Sequence, residues 1–337
     1  MIDTKRRVGI ADPLPRVSVV IPCYNYARYL PDAVRSALEQ PGVDVDVVII
    51  DDASTDDSVA VAKAFAERDE RVRLVQHPAN RGHVETANEA LGLATADFLV
   101  KLDADDLLTP GSLARSVALL TAHPETAFCY GHPVEFTGPP PRSDFGTLRG
   151  WSVWRGDDWI ERVLRRSRCP IRQPEVMMRR AALDAAGGYR AQLRWAEDFN
   201  LLLRLAHSGA VGRVNGTVQG LYRVHEASFQ RSHEDVALRD LSARIAAIEL
   251  FFAESGADRR VLNLSLSALA VDARRLAADA SSRGEDSVAL EEIAEQLDHR
   301  TGVDSASSLL AGRGRFARFV RDVDERVRWR LWRRRGY

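Results

Sequence analysis

The sequence predicts an α/β fold, a mostly parallel sheet covered by helices, and two observations predict it. Short apolar runs rich in β-branched residues recur along the first third of the chain: Val17–Ile21, Val45–Ile50, Val72–Val75 and Phe98–Leu102. Stretches with helical periodicity separate them. Runs of that kind suit strands buried on both faces. Strand–helix–strand repetition implies right-handed crossovers and parallel pairing.

Each element has its own justification. Val17–Ile21 ends in Pro22. Ala27–Gln40 places Leu30, Val34, Ala37 and Leu38 on one side of a helix. Val45–Ile50 closes on Asp51 and Asp52. Ser54 or Thr55 is expected to cap the next helix, with Asp56 and Asp57 in its first turn and Val59, Ala62 and Ala66 on its face. Val72–Val75, Val84–Ala94, Phe98–Leu102 and Pro110–Ala122 complete the alternation. Ligands of such sheets bind beyond the carboxyl ends of the strands, and acidic residues stand at those ends here. Pro139–Pro141 marks a loop, and residues 151–225 read as mixed structure containing Trp151, Trp154, Trp159 and Trp195. From Ser232, a candidate cap, the pattern is helical. Leu262–Ala280 and Val288–Leu297 follow, and a last stripe carries Phe316, Phe319, Val320, Val323 and Val327. The expected organisation is a leader over 1–15, an α/β domain over 16–230 and a helical region over 231–337.

Composition bounds the function. The 337 residues are 45% hydrophobic, enough for one large domain and a smaller addition. A balance of 47 basic against 48 acidic residues argues against a nucleic-acid binder. Charge is uneven along the chain: Ala311–Tyr337 holds ten arginines against Asp322, Asp324 and Glu325. With Trp329 and Trp332 that stretch suits a helix lying on an anionic membrane, and equally a solvated helix or a dimer contact. The 3 cysteines, Cys23, Cys129 and Cys169, are odd in number and widely spaced, which fits a reducing compartment without a disulfide frame or zinc site. Met1–Pro15 is polar, unlike a secretory signal. No stretch reaches the roughly 20 apolar residues of a membrane span. The expected location is cytoplasmic, with peripheral contact at the inner face of the membrane if the basic tail binds lipid.

Five short segments carry the chemistry. Asp103-Ala104-Asp105-Asp106 follows the fourth strand, and carboxylates at i and i+2 can hold a hard divalent cation through oxygen. The plainer reading is an acidic turn before Pro110. Asp51-Asp52 follows the second strand, where a carboxylate can accept from a nucleotide base or simply cap a helix. Pro22-Cys23-Tyr24-Asn25 follows the first strand as a turn that offers backbone groups and a ring, or as an ordinary loop. Glu197-Asp198 sits before the apolar stretch Phe199–Leu205, where acids stabilise the helix dipole and one could serve as a general base. In Tyr222-Arg223-Val224-His225, Arg223 could pair with phosphate, and His225 is a possible ligand or a structural histidine.

Taken in order, Val17–Asn25, Val48–Asp56, Asn80–Gly82, Leu102–Asp106, Gly187–Tyr189 and Glu197-Asp198 resemble the family 2 glycosyltransferases, inverting enzymes of the GT-A fold. The resemblance covers Arg16 to about His225. It implies that Asp52 contacts the nucleotide base, with Pro22, Tyr24, Asn25, Asn80 and Asp103 also on the nucleotide side. It implies a D-x-D pair in Asp103 and Asp105, with Asp105 the direct ligand of Mn²⁺ or Mg²⁺ and His225 a further ligand. It places Gly188 and Glu197 beside the donor sugar and makes Asp198 the catalytic base. The partners so implied are a nucleotide sugar, expected to be a UDP-sugar, and a hydroxyl acceptor, lipid-linked or a glycan, in cell-surface polysaccharide or glycoconjugate synthesis. The chain has no Q-x-x-R-W segment, and Gln219–Arg223 is a faint echo of one, so a processive synthase is not expected. The competing class is a non-catalytic nucleotide-sugar scaffold or sensor on the same fold.

Overall fold

The computed structural model describes residues 13–166, 169, 171–225 and 236–302. The leader up to residue 12, the expected cap at Ser232 and the basic tail from 303 lie outside the described residues. So does the stretch 226–235, where the expected domain boundary falls.

The first half alternates as the sequence predicts. It runs β1 (Arg16–Cys23), α1 (Leu30–Leu38), β2 (Asp44–Asp51), α2 (Ser58–Ala66), β3 (Val72–Gln76), α3 (His83–Leu93) and β4 (Phe98–Lys101). A short β5 (Leu107–Leu108), α4 (Ser112–Ala122), β6 (Thr126–Tyr130) and β7 (Pro133–Phe136) follow. The mixed region resolves into β8 (Trp151–Trp154), α5 (Gly156–Leu164), β9 (Met177–Arg179), α6 (Arg180–Ala186), α7 (Glu197–Ser208), β10 (Ala210–Val214) and β11 (Gly220–Arg223). Three long helices close the described chain: α8 (Val236–Ser255), α9 (Arg259–Ser282) and α10 (Val288–Thr301).

The main sheet has 8 strands in the order β3-β2-β1-β4-β9-β6-β10-β8. β9 pairs antiparallel with both β4 and β6, and β8 pairs antiparallel with β10. The other neighbours run parallel. A smaller sheet, β5-β11-β7, sits beside it. Neither the antiparallel insert nor the small sheet is visible as periodicity, because their strands are only two to four residues long.

Both faces of the main sheet are buried, with successive residues pointing to opposite sides. Val48 and Ile50 pack with α3, α5, α7 and the three C-terminal helices. Val47 and Ile49 pack with α1 and α4. The helical region therefore extends the core of one face through α7, which touches α5, α6 and α8.

Two local expectations need correction. Pro22 lies inside β1, opposite Ile50, and is not part of the turn. Val20 accepts from the Leu102 N–H on the β4 side, and residue 22 faces the same side beyond the end of β4, so its missing N–H costs no ladder bond. The helix expected to be capped by Ser54 or Thr55 starts later, at Ser58. Ser54 Oγ instead accepts from the Asn25 N–H at 2.9 Å, and the Thr55 N–H donates to Asn25 Oδ1 at 2.7 Å. Asp56 Oδ1 accepts from the Ser58 N–H at 2.9 Å, while Asp57, at the N-cap, makes no side-chain capping bond, so neither acid lies in the first turn as expected.

Arg244 of α8 and Asp272 of α9 form a buried ion pair at 3.1 Å, each side chain 7% exposed. Without Asp272, the carboxylate left to Arg244 among the described residues is Asp240, 59% exposed at 3.0 Å, which leaves a buried donor poorly satisfied and costs about 1–3 kcal/mol. Asp272→Ala should lower the unfolding free energy from urea melts by that amount, seen as a lower midpoint with an unchanged slope. An unchanged midpoint would show that the pair contributes nothing.

Candidate functional site

The expected residues assemble at the carboxyl ends of β2, β1 and β4, which are neighbours in the sheet. Asp52, just past β2, is buried. Its Oδ1 lies 2.7 Å from His77 Nδ1 and accepts from the Arg81 N–H at 2.8 Å, while Oδ2 accepts from the Gly82 N–H at 2.8 Å. Burial alone would raise the Asp52 carboxyl, but these bonds overcome it and hold it below the usual carboxylate range. The Asn80 side chain donates to the Asp52 carbonyl at 3.2 Å. Asp52 thus fixes the Asn80–Gly82 loop, and Asn80 sits directly against it. Glu89 closes the network, 3.2 Å from His77 Nε2 and bonded to Arg81.

The neighbouring loop after β1 is tied down by backbone geometry. Asn25 and Ala53 both adopt left-handed φ, 59° and 60°. For alanine that conformation costs of order 1 kcal/mol, and a bond from the Ser54 N–H to Asp51 Oδ2 at 2.9 Å helps hold it. Tyr24 is left 43% exposed at the rim.

The acids after β4 each have a separate partner. Lys101 Nζ lies 2.9 Å from Asp103 Oδ1. His225 Nε2 lies 3.0 Å from Asp105 Oδ2. The Arg223 N–H donates to Asp106 Oδ1 at 2.8 Å, and Asp106 Oδ2 has no hydrogen-bond partner among the described residues. Burial and the neighbouring Asp103 raise Asp105, and burial with Asp105 and Asp103 raises Asp106 strongly. Asp103 goes the other way: burial opposes its ionisation, yet Lys101 and His83 hold it low. Lys101 is 1% exposed, and Asp103 with Asp198 keeps it protonated despite burial.

The Gly187–Tyr189 turn and the head of α7 face this cluster. Lys101 Nζ is 5.9 Å from the Tyr189 ring centroid, and His83 Nε2 is 3.9 Å from Glu197 Oε1. Gly188 has φ 67°, and a Cβ there would meet Asn88 Oδ1 at 2.7 Å, so only glycine fits. Asp198 Oδ1, Glu197 Oε2 and the Tyr189 hydroxyl are all buried without a hydrogen-bond partner among the described residues. Burial, then Asp198, pushes Glu197 up to about 7.

Among the described residues no three potential ligands gather to hold a metal ion. The donor set nevertheless fits a cation shared with a substrate. A carboxylate and an imidazole nitrogen, Asp105 and His225, stand side by side, a donor pair that would suit a hard divalent ion, and the crowded carboxylates around them favour positive charge.

Sequence reasoning missed His77, His83, Asn88 and Lys101. Only Lys101 left a signal, a lysine closing an otherwise apolar buried strand. Packing accounts for three of the four tryptophans of the mixed region. Trp159 is 2% exposed and meets Phe128 edge-on at 5.4 Å, Trp154 stacks on Tyr130, and Trp195 lies under Arg239 at 4.0 Å.

Comparison with known proteins defines the class. The fold is the GT-A type. It matches Staphylococcus aureus TarS 1–349, solved with UDP-GlcNAc, at a TM-score of 0.56 and 17% identity over 85% of this chain and 92% of that one. It also matches the Pyrobaculum calidifontis mannosyltransferase PcManGT, solved with GDP-Man and Mn²⁺, at 0.56 and 22% over 85% and 81%. Residues 18–185 match the family described as Glycosyl transferase family 2. EpsE of Bacillus subtilis, named as a glycosyltransferase, is 31% identical over 217 residues, 64% of this chain and 74% of that protein. The succinoglycan biosynthesis protein ExoU of Rhizobium meliloti is 31% identical over 239 residues, 67% of each. The chain belongs to glycosyltransferase family 2. Among the described residues no helix is long and apolar enough to cross a membrane.

The protonation of Glu197 has a measurable sign. Its folded value of about 7 lies above the ordinary 4.5, so between them the folded state keeps a proton that the unfolded chain has released. Stability from this group therefore falls as pH rises through that window, by at most about 3 kcal/mol. Glu197→Gln should melt close to the parent at pH 4.5 and clearly above it at pH 8. A gap that does not change with pH would overturn the assignment.

Proposed function

We propose that this glycosyltransferase moves a sugar from a UDP-sugar to a hydroxyl acceptor with inversion at the anomeric carbon, with Asp198 as the base. The observation that carries the reading is Asp198 Oδ1, a buried carboxylate oxygen without a hydrogen-bond partner among the described residues, across from the D-x-D acids. The nucleotide lies over the ends of β1 and β2, against Pro22, Tyr24, Asn25, Asp52 and Asn80. Because the Asp52 carboxylate is already engaged by His77 and the loop amides, its main service is to hold the surface on which the base rests. The donor sugar faces Gly188 and Glu197, and Asp103 borders the diphosphate.

Asp105 and His225 would hold Mn²⁺ or Mg²⁺, which when bound neutralises charge on the diphosphate. The chain's own residues do the rest. The acceptor hydroxyl is oriented so that its oxygen attacks the anomeric carbon opposite the leaving group. The new C–O bond forms as the bond to the diphosphate breaks, and the acceptor proton passes to Asp198. Burial raises Glu197 to about 7, so below that pH it carries a proton and adds no second negative charge beside the base. Support for the donor class comes from the nucleotide sugars bound by the two solved relatives. Support for a saccharide acceptor, free or lipid-linked, comes from the succinoglycan biosynthesis protein.

A positioned base contributes about 10²–10⁴-fold. Asp198→Asn should fold normally, bind UDP with Mn²⁺ as the parent does, and lose at least 10²-fold in turnover, read first as metal-dependent hydrolysis across a panel of nucleotide sugars. Near-normal turnover would remove Asp198 from the role. Binding with no turnover by the parent on any donor and acceptor pair would instead favour the scaffold. Asp105→Ala should abolish the Mn²⁺-dependent part of UDP binding in titration calorimetry, and unchanged binding would move the cation elsewhere.

A further inference from the structure

Arg204 is buried, 8% exposed, and lies nearly two turns along α7 from Asp198. Among the described residues no carboxylate lies in salt-bridge contact with this guanidinium, with only Glu254 acting from farther off, so its desolvation must be offset by hydrogen bonds. Here it has three acceptors. Nε donates to Asn200 Oδ1 at 2.9 Å, and the two terminal nitrogens donate to the carbonyls of Ala186 and Gly188. Those carbonyls flank the left-handed Gly187 and belong to the turn that carries Tyr189. From the other side Asn88 of α3 holds the same turn, donating to the Tyr189 carbonyl at 2.9 Å and accepting its N–H at 2.7 Å. Asn200 in turn donates to the Ala247 carbonyl of α8 at 2.9 Å.

One continuous chain of bonds thus runs from α3, which follows the Asn80–Gly82 loop, through the Gly-Gly-Tyr turn and Arg204 into α7. From there it runs on to α8 of the C-terminal helices. We infer that Arg204 is a positioning residue: with Asn200 it locks α7 to the Gly187–Tyr189 turn and to α8, and so sets Asp198 against the donor sugar. The inference rests on Asp198 being the base. It also gives the helical region a part in the chemistry, since α8 supplies one anchor. Arg204 touches no reacting atom, and burial draws it down only to about 10, so it stays cationic at neutral pH.

The test is a double-mutant cycle on the full chain. Arg204→Gln and Asp198→Asn are made singly and together, with Arg204→Lys as the conservative variant. Turnover is followed as metal-dependent hydrolysis of the nucleotide sugar that the parent accepts, and binding as calorimetry with UDP and Mn²⁺. Arg204→Gln should lose about 10–100-fold in kcat, with UDP affinity within about twofold of the parent, because a small misplacement of a reacting group costs on that order. In the Asp198→Asn background the same change should cost less than about twofold, since its effect passes through a base already removed. Arg204→Lys, which reaches one carbonyl but cannot fork across two, should fall between.

Losses that multiply fully in the double variant would overturn the inference, as would parental kcat in Arg204→Gln. If Arg204→Gln does not fold, Asn200→Ala cuts only the link to α8 and Arg204 Nε, and the same cycle is run with it. Parental kcat there, or full additivity, counts against the inference. If Asp198→Asn itself keeps its turnover, the reading of the base has failed, and that outcome is distinct from an inactive Asp198→Asn paired with a normal Arg204→Gln.

Discussion

The carboxylates crowded at one edge of the sheet need compensating charge, and the buried Lys101 ammonium is the nearest fixed source of it. Asp103, Asp105 and Asp106 lie within four residues, and Asp198 and Glu197 approach from α7. An ammonium 1% exposed would ordinarily lose its proton or its place in the core. It keeps both because Asp103 meets it at 2.9 Å and Asp198 adds to the field. The reverse also holds, since Lys101 is what keeps Asp103 ionised against its own burial. The remaining negative charge is left partly uncompensated, visible in the raised Asp105, Asp106 and Glu197. A site in that state attracts a cation and a polar, hydroxyl-rich ligand, and it disfavours a further carboxylate.

The loops after β1, β2 and β3, proposed to carry the nucleotide, rely on a different device. Their polar side chains are spent on one another. Asn25 binds Thr55, Ser54 receives Asn25, Ser58 receives the Tyr26 N–H at 3.0 Å, and Asp52 gathers Arg81 and Gly82. Such bonds replace secondary structure where the chain leaves the strands, and they allow two non-glycine residues to sit at positive φ. The result is a lip braced by hydrogen bonds at the ends of three adjacent strands.

Much of this was legible in the sequence, and the limits have physical causes. The parallel core was readable because its strands are continuous apolar runs, and the acids stood out because they interrupt those runs at the ends. Pro22 misled because proline reads as a break, whereas here it occupies a strand position opposite Ile50, with its nitrogen turned to the other side, beyond the end of β4. Ser54 and Thr55 misled because a cap and a loop clamp use the same residue types. Tyr26, which meets His225 edge-on at 6.1 Å, and Asn88, which reaches 101 positions along the chain to Tyr189, depend on contacts that no local pattern encodes. β9 inserts antiparallel between β4 and β6 with only three residues, too few to show a period. The same holds for Arg204: at its place in an amphipathic helix, arginine looks like a solvated residue until the turn it grips is in view.

The family match ends at residue 185, yet the proposed site extends past it. The proposed nucleotide side, β1 to β3 with the loops after them, is held by bonds within the matched segment, whereas Asp105 and Asp106 after β4 are held by His225 and Arg223. The acid side is not: the Gly187–Tyr189 turn, Glu197, Asp198 and the whole of α7 come later in the chain. α7 is buried between the sheet and α8, and its position is set by packing on Leu241, Ala247, Ile248 and Phe251 as much as by its own sequence. If Asp198 is the base, it takes its place from two independent supports, the Gly187–Tyr189 turn on one side and the C-terminal helices on the other. On the proposed reading, sequence change in the helical region would then retune where an acceptor meets the donor sugar while leaving the loops after β1, β2 and β3 as they are. That would be a physical route by which one scaffold serves different acceptors.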